Sequence, residues 1–186
     1  WSQKHSLSFL PINKCLPSLI EGLKVNNRII LEAMPGAGKT TVVPLAVYQG
    51  QILGGKKILM LEPRRIAARS TSIFMSQLLG EKIGETVGYS VRFEHFSGPK
   101  TKIEVVTEGI LTKRLQKDPE LSDVGLLIFD EFHERNLQSD VALTFAMDIQ
   151  ENLIIKLNHS EEKDDPILAY QENECSQKCE NNCSEL

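Results

Sequence analysis

The feature that most constrains this chain is the stretch from 28 to 41, RIILEAMPGAGKTT. Arg28 to Ala33 reads as a strand, Pro35, Gly36 and Gly38 as a turn, and Lys39 to about Gln49 as a helix. The pattern then recurs. Lys57 to Glu62 is a second strand ended by Pro63, and a helix follows from about Arg65 to Leu79. Thr86 to Val91 and Lys102 to Thr107 are further strands, with a helix from Glu108 to Gln116 behind the second. Gly125 to Phe129 is an apolar strand, and Gln138 to about Glu151 is helical. This order predicts an α/β fold, a mostly parallel sheet with helices on both faces. Pro44 inside the first of these helices removes one backbone hydrogen bond and is expected to bend it.

Ligands of such sheets sit beyond the carboxyl ends of the strands. Two such ends carry chemistry. Pro35, Gly36, Ala37, Gly38, Lys39, Thr40 and Thr41 match the second half of a phosphate-binding loop, with Ala33 where the strict pattern has its first Gly. Glycines let successive N–H groups curl inward around an anion, and the helix start adds partial positive charge. Lys39 is then placed to reach terminal phosphates and the Thr40 hydroxyl to ligate Mg²⁺. The plainer reading is a Gly-rich turn.

The other end is GLLIFDEFHER, residues 125–135, in which a buried strand delivers Asp130 and Glu131 at its tip. An unpaired buried carboxylate costs several kcal/mol, so a cation is expected beside it. A magnesium ion shared by Thr40, Asp130 and Glu131 meets that need. Glu131, pointing the opposite way from Asp130, is a candidate to orient or deprotonate a water, and His133 to sense the terminal phosphate. Asp-Glu by itself reads as a solvated strand end; a phosphate loop earlier in the chain changes that.

Taken together, PGAGKTT, KILMLEPRRIAAR, GETVGYSVRFE, VVTEGILTKRLQKDPEL and GLLIFDEFHERNLQSDVAL are similar to the motifs of DEAH/DExH-box helicases of superfamily 2. Within that family the chain most resembles the HrpB branch of ATP-dependent RNA helicases, from about Leu10 to Asn152. The resemblance implies a first RecA-like domain that uses ATP and Mg²⁺, with Lys39, Asp130, Glu131 and His133 as catalytic residues. It also implies that Arg64 and Arg65, and then Thr107, Glu108 and Gly109, touch the backbone of a single nucleic-acid strand, RNA favoured. Both segments end strands on the ligand side, which suits contacts to phosphate that read no sequence. A solvated helix start is the bland alternative for the arginines. No aromatic flanks them in the sequence, so base stacking is not expected there. A P-loop kinase or transporter ATPase would leave DEFHER, LEPRRIAAR and TEGIL unexplained.

Residues 1–152 are therefore read as an incomplete RecA-like domain and 153–186 as an acidic, disordered tail. The charge divides accordingly, with 18 Lys and Arg against 16 Asp and Glu in residues 1–150 and 3 against 9 after them. Leu153 to Leu157 is a candidate stub strand, and no Ser-Ala-Thr follows it. Family members continue into that motif and into a second RecA-like domain with arginine fingers. The chain thus reads as shortened, leaving an open sheet edge and a site that binds nucleotide but turns it over slowly. It represents either the ATP-binding half of a helicase or a binding module that does not unwind. Cys175, Cys179 and Cys183 recur at a spacing of four but lack a fourth ligand, and surface amides surround them. No apolar run approaches the ~18 residues of a membrane span. Residue 1 is Trp, so a targeting peptide is not legible, and an intracellular, cytoplasmic location is expected from the chemistry alone.

Overall fold

The computed structural model describes residues 10–131, 137–158 and 167–172. A short 3₁₀ turn, Pro11–Lys14, precedes helix α1, Leu16–Val25. The chain then runs β1 Arg28–Glu32, α2 Lys39–Gly50, β2 Lys57–Leu61, α3 Arg65–Leu79, β3 Val87–Val91, β4 Glu94–Phe96 and β5 Ile103–Val106. It closes with α4 Glu108–Lys117, β6 Val124–Phe129, α5 Leu137–Asn158 and β7 Ile167–Glu172. Among the described residues all strands lie in one sheet of order β1-β7-β6-β2-β5-β3-β4, in which only the β3–β4 pair is antiparallel. The α/β class read from the sequence is what folds.

Strand alternation explains how the core is built. Side chains two apart share a face, so Ile58 and Met60 of β2 point one way and Leu59 and Leu61 the other. Ile58, Met60, Ile103, Val105, Leu126 and Ile128 join the core under α1, α2 and α3. Leu59, Leu61, Val106, Leu127 and Phe129 join Leu111 of α4 and Ala142 and Ala146 of α5 on the opposite face. Every residue of β3, β5 and β6 is buried, as parallel strands covered on both sides require.

Four parts of the sequence reading are corrected. Helix α1 was not expected, and it packs Leu19 and Leu23 into the first core. The short β4 was missed because three residues carry no usable period. Leu153 to Leu157 is not a stub strand: α5 continues through it to Asn158, since extending a formed helix adds one hydrogen bond per residue without a new nucleus. Finally, Ile167–Glu172 lies within the segment read as disordered, yet it forms β7 between β1 and β6. Six residues of ILAYQE have little local signal; two flanking strands with open hydrogen-bonding edges supply the register. The sheet edge expected to lie open is thus paired on β6 by β7, and β1 is the edge strand on that side. Cys175, Cys179 and Cys183 lie outside the described residues.

Candidate functional site

Because β1, β7, β6, β2 and β5 are parallel, their carboxyl ends gather along one edge. The loop after β1 and the acidic end of β6 are separated by β7 alone, a gap of about 10 Å at the usual strand spacing. The Asp130 N–H donates to the Leu61 carbonyl, 3.1 Å, and the Glu62 N–H to the Val106 carbonyl, 2.9 Å, which fixes the neighbouring strand ends in line.

The loop itself turns on two left-handed glycines, Gly36 at φ 77° and Gly38 at φ 97°. Gly38 caps α2, and a Cβ there would stand 2.8 Å from Leu10 Cδ1. Lys39 is only 6% exposed, and its Nζ donates to the Ala33 carbonyl, 2.7 Å away. The ammonium is thus folded back over the loop it follows. A cavity of about 400 Å³ opens here, lined by residues 35–41 together with Leu10, Phe74 and Glu131.

Asp130 meets this loop as the sequence reading expects. Its carboxylate is 3% exposed and hydrogen-bonded by the Thr40 hydroxyl, and Oδ1 accepts the Glu131 N–H at 3.0 Å. Oδ2 is buried and has no hydrogen-bond partner among the described residues. Burial pushes the acid up from its ordinary value of 3.8, against the Thr40 hydrogen bond, which pulls it down. A buried carboxylate oxygen with no donor, next to a threonine hydroxyl and a lysine ammonium, is a place a divalent cation fits.

Glu131 lines the loop cavity, whereas Asp130 before it is buried. Glu131 sits at φ 52°, a left-handed turn that ends the strand alternation and sets its side chain in the loop cavity. Such a conformation costs an L-residue about 1–2 kcal/mol and collects at functional sites. His133, Glu134 and Arg135 lie outside the described residues.

The other candidate contacts occupy the same edge but a separate hollow. Arg64, Arg65, Ile66, Arg69 and Ser70 at the start of α3 line a shallow groove of about 920 Å³ against Val91 and Glu94. Arg65 Nη2 donates to the Arg92 carbonyl, 2.8 Å, and Arg69 Nη1 stands 3.9 Å from Glu94 Oε2. Thr107 and Glu108 are buried, so at the start of α4 only Gly109 is exposed. The sequence shows no aromatic near the arginines, but the β3–β4 turn brings one. Phe93, 87% exposed at φ 70°, follows the residue whose carbonyl Arg65 holds, and the Arg92 guanidinium lies 4.8 Å from its ring centre. Leu10 and Phe74 were also missed as cavity residues, because tertiary packing alone brings them there.

Comparison with known proteins follows this geometry. A family model described as DEAD/DEAH box helicase matches residues 13–158. The chain is 49% identical over 147 residues to ATP-dependent RNA helicase HrpB of Escherichia coli (strain K12), covering 79% of this chain and 18% of that protein. It is 41% identical over 140 residues to ATP-dependent RNA helicase HrpA of Borreliella burgdorferi, covering 75% of this chain and 17% of that one. The crystal structure of Escherichia coli DEAH/RHA helicase HrpB superimposes with a TM-score of 0.81 at 42% identity, covering 93% of this chain and 21% of that chain. This chain therefore spans less than a fifth of the length of the curated relatives it matches.

Proposed function

Since the chain belongs to the DEAD/DEAH box helicase family, we propose that it binds ATP with Mg²⁺ on the 35–41 loop and contacts single-stranded RNA along the arginine groove. The observation that carries this reading is the Asp130 carboxylate, hydrogen-bonded by Thr40 and left with a buried Oδ2 that has no hydrogen-bond partner among the described residues. Backbone N–H groups of residues 36–40 cradle the phosphates, and Lys39 leaves the Ala33 carbonyl to hold the terminal one. Thr40, Asp130 and Glu131 hold the metal. Bound Mg²⁺ supplies the positive charge that offsets charge developing on the phosphoryl oxygens. Glu131 orients the attacking water and accepts its proton, and His133 reports the phosphate's presence to the rest of the protein.

Arg64 and Arg65 hold the RNA backbone, assisted by the first turn of α4 at Thr107, Glu108 and Gly109. Since Thr107 and Glu108 are buried, that assistance comes through backbone N–H groups. The relatives named as RNA helicases support RNA as the strand and an intracellular setting. Among the described residues no helix is long and apolar enough to cross a membrane.

The 186 residues on their own turn nucleotide over slowly. They cover 18% of the HrpB relative, and an arginine finger from a second domain contributes about 10³–10⁵ in rate in such NTPases. The second reading is a nucleotide-binding or interaction module without helicase activity. Nucleotide affinity and turnover of the purified chain, with and without single-stranded RNA, test both. Mg²⁺-dependent binding with negligible turnover is the expected result. Failure to bind nucleotide sinks the site, and brisk RNA-stimulated turnover sinks the claim of slowness.

A further inference from the structure

The sheet is covered unevenly. Every residue of β5 and β6 is buried, whereas none of β1 is. Ile29 and Leu31 pack against the core under α1 and α2, so Ile30 between them points to the opposite face, where it is 51% exposed. Helix α5 crosses that face and reaches the start of β1, where Arg28 Nε donates to Gln150 Oε1 and Gln150 Nε2 to the Asn27 carbonyl. Ala142 and Ala146 seat α5 on the sheet, and Leu143 and Met147, one position on, pack against the core that Ile110 and Leu115 of α4 also join. Val141 and Phe145, one position back, are therefore on the other flank, away from α4 and toward β1. They are 39% and 52% exposed, and Leu137, one turn before them, 78%. Ile30 and this stripe border an apolar strip that no described element covers.

We propose that residues 173–186, which follow β7 and lie outside the described residues, cover this strip as a helix. At about 100° per residue, Cys175, Cys179, Cys183 and Leu186 fall within an arc of about 80°, and no other residue of the segment enters that arc. Asn, Gln, Ser, Glu and Lys fill the rest of the circumference. A reduced cysteine packs as a small hydrophobe, so the arc is an apolar stripe on a polar helix. Asn173 is a favourable residue to cap such a helix, and Glu174 suits its first turn.

The connection fits as well. Glu172 ends β7 at the carboxyl edge, in register with Glu32 of β1. The face under α1 and α2 is occupied, and a right-handed turn out of β7 toward β1 enters the open one. Residues 174–186 make about 20 Å of helix, enough to run back along β1, which is about 17 Å long. The strip is also what this helix needs. Asn, Ser and Cys are poor helix formers, and so short a segment is marginal in water on its own. A second copy of the chain would bury the same side chains of β1 and α5, but it would leave the thiols in solvent, and that separates the two.

The test is maleimide labelling of the reduced full chain carrying Cys15→Ser, which leaves Cys175, Cys179 and Cys183 as its thiols. A synthetic peptide of residues 173–186 gives the rate for uncovered thiols. In the chain all three should react about tenfold slower or more than in the peptide, at any chain concentration. Ile30→Ser together with Phe145→Ser changes two half-exposed positions outside the buried core, and should return the rate to within about twofold of the peptide's. Cys179→Asp puts a charge in the middle of the stripe without touching the described fold, and should free Cys175 and Cys183 alike. Peptide-like rates in the Cys15→Ser chain overturn the proposal. So does protection that grows with chain concentration, which assigns the strip to a second copy, and so does protection that survives both sets of substitutions, which places the thiols elsewhere.

Discussion

Lys39 holds the carbonyl of Ala33 at 2.7 Å, closing the phosphate loop on itself across its two ends. The residue that replaces the first glycine of the strict motif thus supplies the acceptor on which the lysine rests. Exchanging that neutral carbonyl for phosphate gains a hydrogen bond between charged groups, worth about 1.5–3 kcal/mol. Lys39→Ala should therefore weaken Mg-ATP binding by roughly 10- to 100-fold in calorimetric titration. Unchanged affinity would show that the lysine stays with Ala33.

Asp130 yields a prediction about stability as well as binding. Burial raises its pKa in the folded state, so the contribution from its protonated form is complete below the unfolded value of 3.8 and is lost as pH rises through the folded value. Asp130→Asn removes that charge. At neutral pH, without metal, the variant should melt higher than the wild type, by about 1 kcal/mol in stability, with the gap closing toward pH 4. The same change should abolish the Mg²⁺ dependence of nucleotide binding. A variant that melts lower at pH 7 and level at pH 4 would refute the assigned burial cost.

Glu104 on β5 runs the opposite way. Burial pushes its carboxyl up, but hydrogen bonds from Ser90, Arg114 and Ser97 and the Arg114 charge together pull it below the ordinary 4.5. Its oxygens accept from Ser90 Oγ at 2.6 Å and Arg114 Nη1 at 2.9 Å. The stabilisation is present above pH 4.5 and lost as pH falls through the folded value. Glu104→Gln should cost about 2 kcal/mol at pH 7 and progressively less below pH 4.5. Denaturant melts across pH 3–7 would contradict this if the difference stayed constant.

The two loop glycines separate strain from crowding. Gly36 and Gly38 are both left-handed, but an added Cβ meets nothing within 4 Å at Gly36 and Leu10 Cδ1 at 2.8 Å at Gly38. Gly36→Ala should lose about 1–2 kcal/mol of stability from backbone strain alone. Gly38→Ala should lose more, because Leu10 must move. Equal melting temperatures for the two variants would be the wrong outcome.

In the arginine groove, Arg64→Ala together with Arg65→Ala should weaken binding of single-stranded RNA and flatten its dependence on salt, since each lost phosphate contact lowers the slope by about 0.7 for a single strand. An unchanged slope in salt titrations would remove both residues from the interface.

How much of this was legible in the sequence depends on how local the cause is. The phosphate loop was readable because glycines, a lysine and a threonine act through their own backbone within nine residues, 33–41. The strands β2, β5 and β6 were readable because parallel strands buried on both faces are apolar along most of their length, Lys57 and Glu104 being the exceptions. Asp130 beside Thr40 followed from placing both at strand ends of one parallel sheet. The strand β7 was not readable, because its register comes from β1 and β6, far away in sequence. Nor was the left-handed backbone at Glu131, which no side-chain pattern announces. Phe74 reaches the loop cavity only through the docking of α3, so its spacing looked like that of any helix.

The position of β7 has a consequence for the order of events at the ribosome. Arg28 pairs with Leu168 and Leu126 with Ile167, so the two corners of the pocket are bridged by a segment synthesised after both. The glycine loop leaves the exit tunnel early and waits, its neighbouring edge unzipped, until those six residues arrive. Joining of the two corners therefore marks the end of synthesis for this region and not its beginning. Ribosomes stalled before Ile167 would carry a nascent chain whose parts are all present and whose pocket has not yet closed.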